Sequence, residues 1–527
     1  MKKIIRNSIY TALAVAGLSM SSCDKFLDVN DDPNNPSKVE AASRIAGAIS
    51  TTSGAAQWRA TRELAGVMQY GGLQTASSGG YAAANWRFTA SYFAWQNAYV
   101  ITMPNAVDLI VLGEEEGNPH FVGVGKTLLA LNFGLLTAQY GDIVVDDFYD
   151  GKGMISLVPK FNTQKEVYER LQSMLDEAIA AFERTDNKRD LNVKNGDILY
   201  QGDVAKWKKF AWALKARYYN HLSKKTGLYD ADKVITACQN AFNGDGMDAE
   251  FPYLADGLLV DQNPWSSWGG FESLTNPRYF AWTQFFVNML TSFPVTNNLY
   301  QDPRISKIMK PAESDGQYRG PGSGAFISNG QGVLANGSPG DATKTKPEDY
   351  GRFSKSGFYT NTTSPFGFIT YSEVKLIEAE ARLRKGDKPG ALAAYEEGVK
   401  SNMRKLGVSA ADINAYWAAQ ITDNLSGHFD ELKTGLSHIM RQKHISLCLN
   451  PETWMDMRRM DYSADIYGPS LKRPANLNTT IFDPANNNQW IQAMVYETNE
   501  QNRNPEAVGD NTEKYRLLTP LWIHKPE

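Results

Sequence analysis

Four aspartates stand close together in "YGDIVVDDFYDG" (140–151): Asp142, Asp146, Asp147 and Asp150. Two carboxylates of such a group could cleave a glycosidic bond, one as acid and one as base or nucleophile. A calcium ion is another reading, although the spacing is not that of an EF-hand loop and no glutamate stands at its closing position. The plainer reading is that aspartates following a helix cap and turn the backbone. "VGVGKTLL" (122–129) ends like a phosphate loop, but His120 stands where the first glycine belongs and no apolar strand precedes it. Lys126 then reads as a residue in a helix's first turn. His444 and Cys448 could share a helix face, yet no second pair completes a metal site. Arg458 and Arg459 in "NPETWMDMRRMDY" could bind an anion, or form a packing and salt-bridge seam. No Ser-His-Asp set, HExxH motif or catalytic-cysteine context is visible. The sequence therefore assigns no catalytic residue, no metal ligand and no cofactor, with calcium left open.

The aromatic residues say more. Tyr81, Trp86, Trp265, Trp268 and Phe271 lie in glycine-rich loops and not on helical stripes. An aromatic on such a loop is either a plug that holds the loop down or an exposed platform. A sugar ring stacks its C–H face on tryptophan or tyrosine, and neighbouring amide, carboxylate and guanidinium groups bind its hydroxyls. Asn85, Arg87, Asp261 and Asn263 stand beside these aromatics. The nine residues together form the candidate ligand site, with the plug reading open for each aromatic.

The start of the chain bears on where such a site would work. "MKKIIRNSIYTALAVAGLSMSSC" has basic Lys2, Lys3 and Arg6, then an apolar run, then Ser21, Ser22 and Cys23. That order is a secretory signal, with residues 1–22 as the signal peptide, and it resembles a lipobox with Met20 in the usual leucine position. Cys23 is the expected lipid attachment point. Residues 23–40 read as a polar, proline-dotted tether. No later uninterrupted apolar run reaches 18 residues, so the sequence predicts membrane attachment by lipid alone. Lys and Arg total 54 and Asp and Glu 58. The first 22 residues hold three of the basic residues and no acid, so the remainder carries 51 against 58, a net of −7. That balance gives no basic face for nucleic acid. Three cysteines make no disulfide framework, and Cys238 and Cys448 read as buried thiols.

The elements that must position the site are mostly helical. Residues 41–527 read as one domain, with helical periodicity over about 41–70, 92–183, 204–242 and 370–462. The segment "TQKEVYERLQSMLDEAIAAFER" places Val167, Leu171, Leu175, Ala178 and Phe182 on one stripe, and Thr163 with Glu166 forms a capping-box pattern. Trp207, Phe210, Ala211, Leu214 and Tyr218 repeat the stripe in the next segment. From Lys375 the chain fits one tetratricopeptide unit: Ala379 faces Ala391 across a Gly386-Asp387 turn, and Tyr395 fills the gap. The stretches at 124–183 and 204–242 look like degenerate copies. Gly, Pro, Asn and Ser become dense over about 245–365, too long for a passive connection. The last 60 residues read as loop.

Taken in order, "SSCDKFLDVNDDPNNP", "AQYGDIVVDDFYDG", "VPKFNTQKEVYERLQSMLDEAIAAF", "WKKFAWALKARYYNHLSK", "DPRISKIM", "TYSEVKLIEAEARLRKGD" and "QKHISLCLNPETWMDMRRMDY" resemble the SusD/RagB family of outer-membrane lipoproteins from Bacteroidetes. The family often shows Tyr-Pro-x-x-Glu near its end. Here Tyr496 and Glu500 keep the spacing, and Glu497 replaces the proline. The resemblance implies a right-handed superhelix of stacked tetratricopeptide-like helix pairs carrying an irregular, loop-rich ligand-binding half. It implies a non-enzymatic lipoprotein of the outer membrane, facing the cell exterior. Such a protein binds an oligosaccharide and delivers it to a TonB-dependent, SusC-like barrel. Peptide capture within the same family is the alternative. A surface glycoside hydrolase using the aspartates, or an assembly factor whose aromatics are all plugs, is more distant.

Overall fold

The computed structural model describes residues 39–73, 85–88, 93–255, 261–267, 280–292, 301–324, 347–474 and 477–526. The expectations for Cys23, Tyr81, Trp268 and Phe271 lie outside them. The first helices are α1 (Ala42–Thr51), a π-helical turn (Thr52–Gln57) and α2 (Trp58–Leu64). A second π-helical turn (Asn97–Thr102) leads into α3 (Met103–Glu116) and α4 (Pro119–Tyr140). Then come α5 (Gln164–Glu183), α6 (Val204–His221) and α7 (Ala231–Asn240). Successive members of α3–α7 pack on one another. By length and composition α4 could cross a membrane, but 89% of its apolar window is buried in the protein. It is the central core helix, and Gly141 stops it. Gly134 on α4 admits the Tyr218 ring of α6, whose hydroxyl donates to Ala130 O at 3.1 Å; a Cβ at 134 would lie 2.1 Å from the Tyr218 hydroxyl oxygen.

Local signals in α5 act as the sequence predicts. Its five stripe residues are buried. Thr163 and Glu166 close a reciprocal capping box, which satisfies two backbone N–H groups otherwise left without partners at the helix start.

After α8 (Gln284–Thr291), α9 (Tyr371–Lys385) and α10 (Lys388–Lys405) form the tetratricopeptide hairpin. Gly386 turns the chain with φ 86°, and Asp387 caps α10 by accepting from Gly390 N at 3.0 Å. Ala379 and Ala391 are fully buried, and Tyr395 is buried against Trp417, Phe429 and His438 of the segments that follow. The longer helices that follow are α11 (Ala410–Thr422), α12 (Leu432–Ser446) and α13 (Glu452–Arg459).

The helical part contains a seam of buried charge. Arg217 of α6 pairs with Glu373 of α9 at 2.7 Å, and His221 meets Glu452 of α13 at 2.6 Å. Arg459 of α13 reaches Glu380 of α9 at 2.8 Å and Asp456 at 2.6 Å, and Lys443 of α12 meets Asp456 at 2.8 Å. Burial would raise the Glu452 carboxyl, but His221, Arg217 and Lys443 outweigh it and bring it down to about 2.

Four short strands tie the irregular part down. β1 (Gly71–Leu73) pairs antiparallel with β3 (Phe280–Trp282), and β2 (Ala249–Phe251) with β4 (Phe366–Ile369). The last 60 residues are not loop alone. They carry short helices at Thr498–Arg503, Pro505–Val508 and Glu513–Leu518. Tyr496 stacks on Tyr140 at 5.6 Å and donates to Asp142 O at 2.8 Å. Glu497, in the proline's place, caps the helix that follows by accepting from Asn499 N at 2.8 Å.

Candidate functional site

The four aspartates are occupied by backbone and partners. Asp142 accepts from Gln164 N at 2.7 Å, and Asp147 from Lys160 N at 3.1 Å. Asp150 accepts from Lys152 N and Gly153 N at 2.8 and 3.1 Å. Asp146 accepts from Asn162 Nδ2 at 2.9 Å and pairs with Arg170 at 3.0 Å. Burial would raise Asp146, but Arg170 and Asn162 outweigh it and lower the carboxyl. The Lys152 N–H lowers Asp150. A general acid needs the opposite shift. The group turns and caps the chain.

Arg458 and Arg459 are likewise internal. The Arg458 guanidinium lies 3.6 Å from the Trp454 ring centroid and donates to Gln492 O at 2.8 Å. His444 is packed among Tyr70, Phe285 and Phe286, and burial pushes its imidazole down to about 3. Among the described residues no group of three or more His, Cys, Asp and Glu is placed to hold a metal ion.

The loop residues fall into two packing neighbourhoods. Trp86 is fully buried, at φ 54°, between the rings of Phe482 (5.5 Å) and Trp490 (5.4 Å). A left-handed backbone at a bulky residue costs roughly 1–3 kcal/mol and persists only where packing imposes it. Asn85 is buried beside it, while Arg87 is exposed and reaches Leu477 O at 3.4 Å. In the second neighbourhood, Asn263 accepts from Trp265 N at 2.9 Å and donates to Ser364 O at 3.0 Å. Trp265 meets Trp58 at 6.4 Å and Phe353 at 5.7 Å, edge to face, and is buried. Asp261 is half-exposed, and its carbonyl accepts from Leu254 N at 2.8 Å. Trp86 and Trp265 were candidate ligand contacts, with the plug reading open for each. In the structure both are plugs, because long-range partners in 353 and 482–490 close over their rings. Asn85 and Asn263 are buried with them.

The plugs hold the stems of other segments. Leu73, which precedes residues 74–84, is the register partner of Phe280, which follows residues 268–279. Asn85 closes the first of these segments, and its Oδ1 lies against Gly324, where residues 325–346 begin; a Cβ at Gly324 would be 2.7 Å from that oxygen. Pro474 walls the same glycine at 2.6 Å. The stems of the segments that carry Tyr81, Trp268 and Phe271 therefore lie side by side. Pro474 and residues 477–490 complete this face, and sequence reasoning missed them. The only signal was a few apolar residues, Leu477, Ile481, Phe482 and Trp490, scattered without a period through an asparagine-rich stretch.

The cavity beside Trp265, lined also by Asn263, Tyr359 and Lys405, has a volume of about 40 Å³. It has room for a water or so and not for a sugar ring. A roomier hollow of about 510 Å³ lies between α3, α4 and α5. Its lining of Gly113, Val122, Lys126, Glu177 and Ala181 includes none of the candidate residues, and it offers no aromatic face.

Residues 33–482 match the SusD-like family model described as "Starch-binding associating with outer membrane". No curated protein matches the chain. Among solved structures, a SusD/RagB family protein from Bacteroides thetaiotaomicron is similar at 22% identity and TM-score 0.67, over 93% of this chain and all of that one. A chitin-binding SusD homologue from Flavobacterium johnsoniae is similar at 16% identity and TM-score 0.70, over 92% of this chain and 99% of that one. A SusD homologue from Bacteroides fragilis is similar at 15% identity and TM-score 0.67, over 93% of this chain and all of that one. These likenesses share the stacked helical fold, and the match over 33–482 means that the chain belongs to the SusD/RagB family.

Proposed function

We propose that this protein is a lipoprotein of the outer membrane, attached through Cys23 and facing the exterior, that binds an oligosaccharide. It hands the glycan to a TonB-dependent, SusC-like barrel and does no chemistry on it. The observation that carries this reading is the convergence of stems: Leu73 against Phe280, and Asn85 against Gly324. Three separate glycine-rich segments start or end on one face, and two of them bear Tyr81, Trp268 and Phe271. Aromatic side chains on loops with fixed stems suit a sugar ring, which needs a stacking face and a few polar groups around it. Arg87 and Asp261, the candidate polar residues that are not buried, would supply that rim. Trp86, Trp265, Asn85 and Asn263 would act by holding the stems. The family description and the chitin-binding homologue favour a glycan over a peptide.

A panel of starch- and chitin-derived oligosaccharides, titrated by calorimetry, tests the proposal. Saturable binding with no release of reducing ends is expected. Reducing ends that appear with the wild type and vanish with Asp147→Asn would replace binding by hydrolysis. Binding of peptides and of no glycan would move the ligand class.

A further inference from the structure

Five residues that the site does not use form the most exposed apolar stretch of the described chain. In "MISLV" (154–158), Met154, Ile155, Leu157 and Val158 are 63, 52, 86 and 58% exposed. The stretch is held rigidly at both ends. Before it, Phe148 is buried against Tyr99, Tyr149 bridges Met154 in antiparallel fashion, and Asp150 caps the intervening turn. Gly151 fits there at φ 86° with a Cβ position 2.9 Å from Val111, so the turn is pressed onto α3. After it, Pro159 O accepts from Asn504 Nδ2 at 2.7 Å. The aspartates that might have been catalytic thus build the base of an aliphatic prominence. The turn that carries Tyr99 adds Val100 and Ile101, 68 and 43% exposed.

Three observations say what covers it. Apart from Met154 the prominence holds none of the residues, aromatic, methionine or arginine, that the cores of protein interfaces favour, and Ser156 is its one polar side chain. It bears no charge between Met154 and Pro159, and exposed Lys152 and Lys160 flank it, while the nearby Asp150 carboxylate is held by the backbone N–H groups of the turn; this is the pattern of an apolar group set at an anionic head-group boundary. Third, its base lies close to where the chain enters the fold. Tyr149 donates to Asp108 at 2.9 Å, and Asp108 pairs at 3.1 Å with Arg44 in the first turn of α1. Only sixteen residue steps, a reach of at most about 55 Å, join Val39 to Cys23.

We propose that Met154, Ile155, Leu157 and Val158 form a lipid-docking surface that enters the head-group region of the membrane carrying the Cys23 anchor, with Lys152 and Lys160 on anionic head groups. This rests on the lipoprotein reading above. The prominence would fix how the protein lies on the membrane.

The test uses the full chain with Leu157→Cys labelled by an environment-sensitive nitrobenzoxadiazole dye, on vesicles of phosphatidylethanolamine and phosphatidylglycerol. Cys238 and Cys448 are buried, and Cys23 would be blocked by its diacylglyceryl thioether on the lipoprotein reading, so the label is selective. A blue shift with at least a twofold rise in emission, quenched by brominated lipid, is expected. The same dye at Leu432→Cys, an exposed apolar position on α12, is expected to stay unchanged. Vesicle-bound protein with no shift at 157, or with equal shifts at both positions, overturns the docking and leaves the anchor standing. A shift that appears only when a barrel transporter is added also overturns it, in favour of a protein partner. Protein that does not float with vesicles, with Cys23 unacylated by mass spectrometry, overturns the anchor and the docking together.

Discussion

Around α6, α9, α12 and α13 the interior is cross-linked by charge, with Arg217 on Glu373, Arg459 on Glu380 and Asp456, and Lys443 on Asp456. Around residues 85–88, 261–267 and 280–292 it is cross-linked by rings, with Trp86 on Phe482 and Trp490, Trp265 on Trp58 and Phe353, and Trp282 on Phe353 at 4.1 Å. The two solutions tolerate different things. A buried ion pair works in one geometry, because each charge left alone is costly. A buried ring asks only for a hydrophobic seat and leaves the backbone on either side of it free to vary. The ionic part therefore suits a fixed scaffold. The ring-pinned part suits loops whose stems are fixed and whose intervening residues can be chosen for a ligand.

The largest effect is expected where an ion loses its partner. Arg459→Ala leaves Glu380 and Asp456 buried without it, and should lower the unfolding free energy by about 4 kcal/mol in urea titrations. If it costs no more than a surface substitution, the ionic part is not the scaffold. Trp265→Ala should cost about 3 kcal/mol through the cavity it leaves. A Trp265→Phe variant should restore most of that, as a seat for a ring requires. Acid should act on the ionic part. The folded Glu452 carboxyl lies at about 2, below its ordinary 4.5, so its stabilisation is present above pH 4.5 and is lost as pH falls from 4.5 towards 2. That loss is on the order of 3 kcal/mol, and circular-dichroism melts across this range would detect it. A flat profile would mean the seam contributes nothing specific. Thr163→Ala, which opens the capping box of α5 outside both regions, should cost only about 1 kcal/mol and calibrates the others.

What could be read in advance follows the same division. The stripe of Val167, Leu171, Leu175, Ala178 and Phe182, the Thr163–Glu166 box and the Gly386-Asp387 turn are written within a few residues of the elements they form. The helical half was legible for that reason. The fates of Trp86 and Trp265 are decided by Phe482, Trp490, Trp58 and Phe353, which lie tens to hundreds of residues away. No local pattern separates a plug from a platform, because both are aromatics on glycine-rich chain. The aspartates were open to three readings until Gln164, Lys160 and Arg170 were seen to use them. Residues 474–490 went unnoticed because a stretch rich in asparagine and proline has no period to read. The apolar run at 154–158 was visible in the letters, but its exposure depends on anchors as remote as Asn504.

The central claim is that the plugs fix the stems and that the segments between them carry the ligand site. It is tested most directly by comparing two tryptophans three residues apart, Trp265→Ala and Trp268→Ala, in calorimetric titrations with the glycan bound by the wild type and in parallel thermal melts. The account predicts that Trp268→Ala weakens binding at least tenfold with an unchanged melting temperature, while Trp265→Ala lowers the melting temperature markedly. Wild-type binding by Trp268→Ala, or a melting temperature that falls with Trp268→Ala and holds with Trp265→Ala, would contradict it.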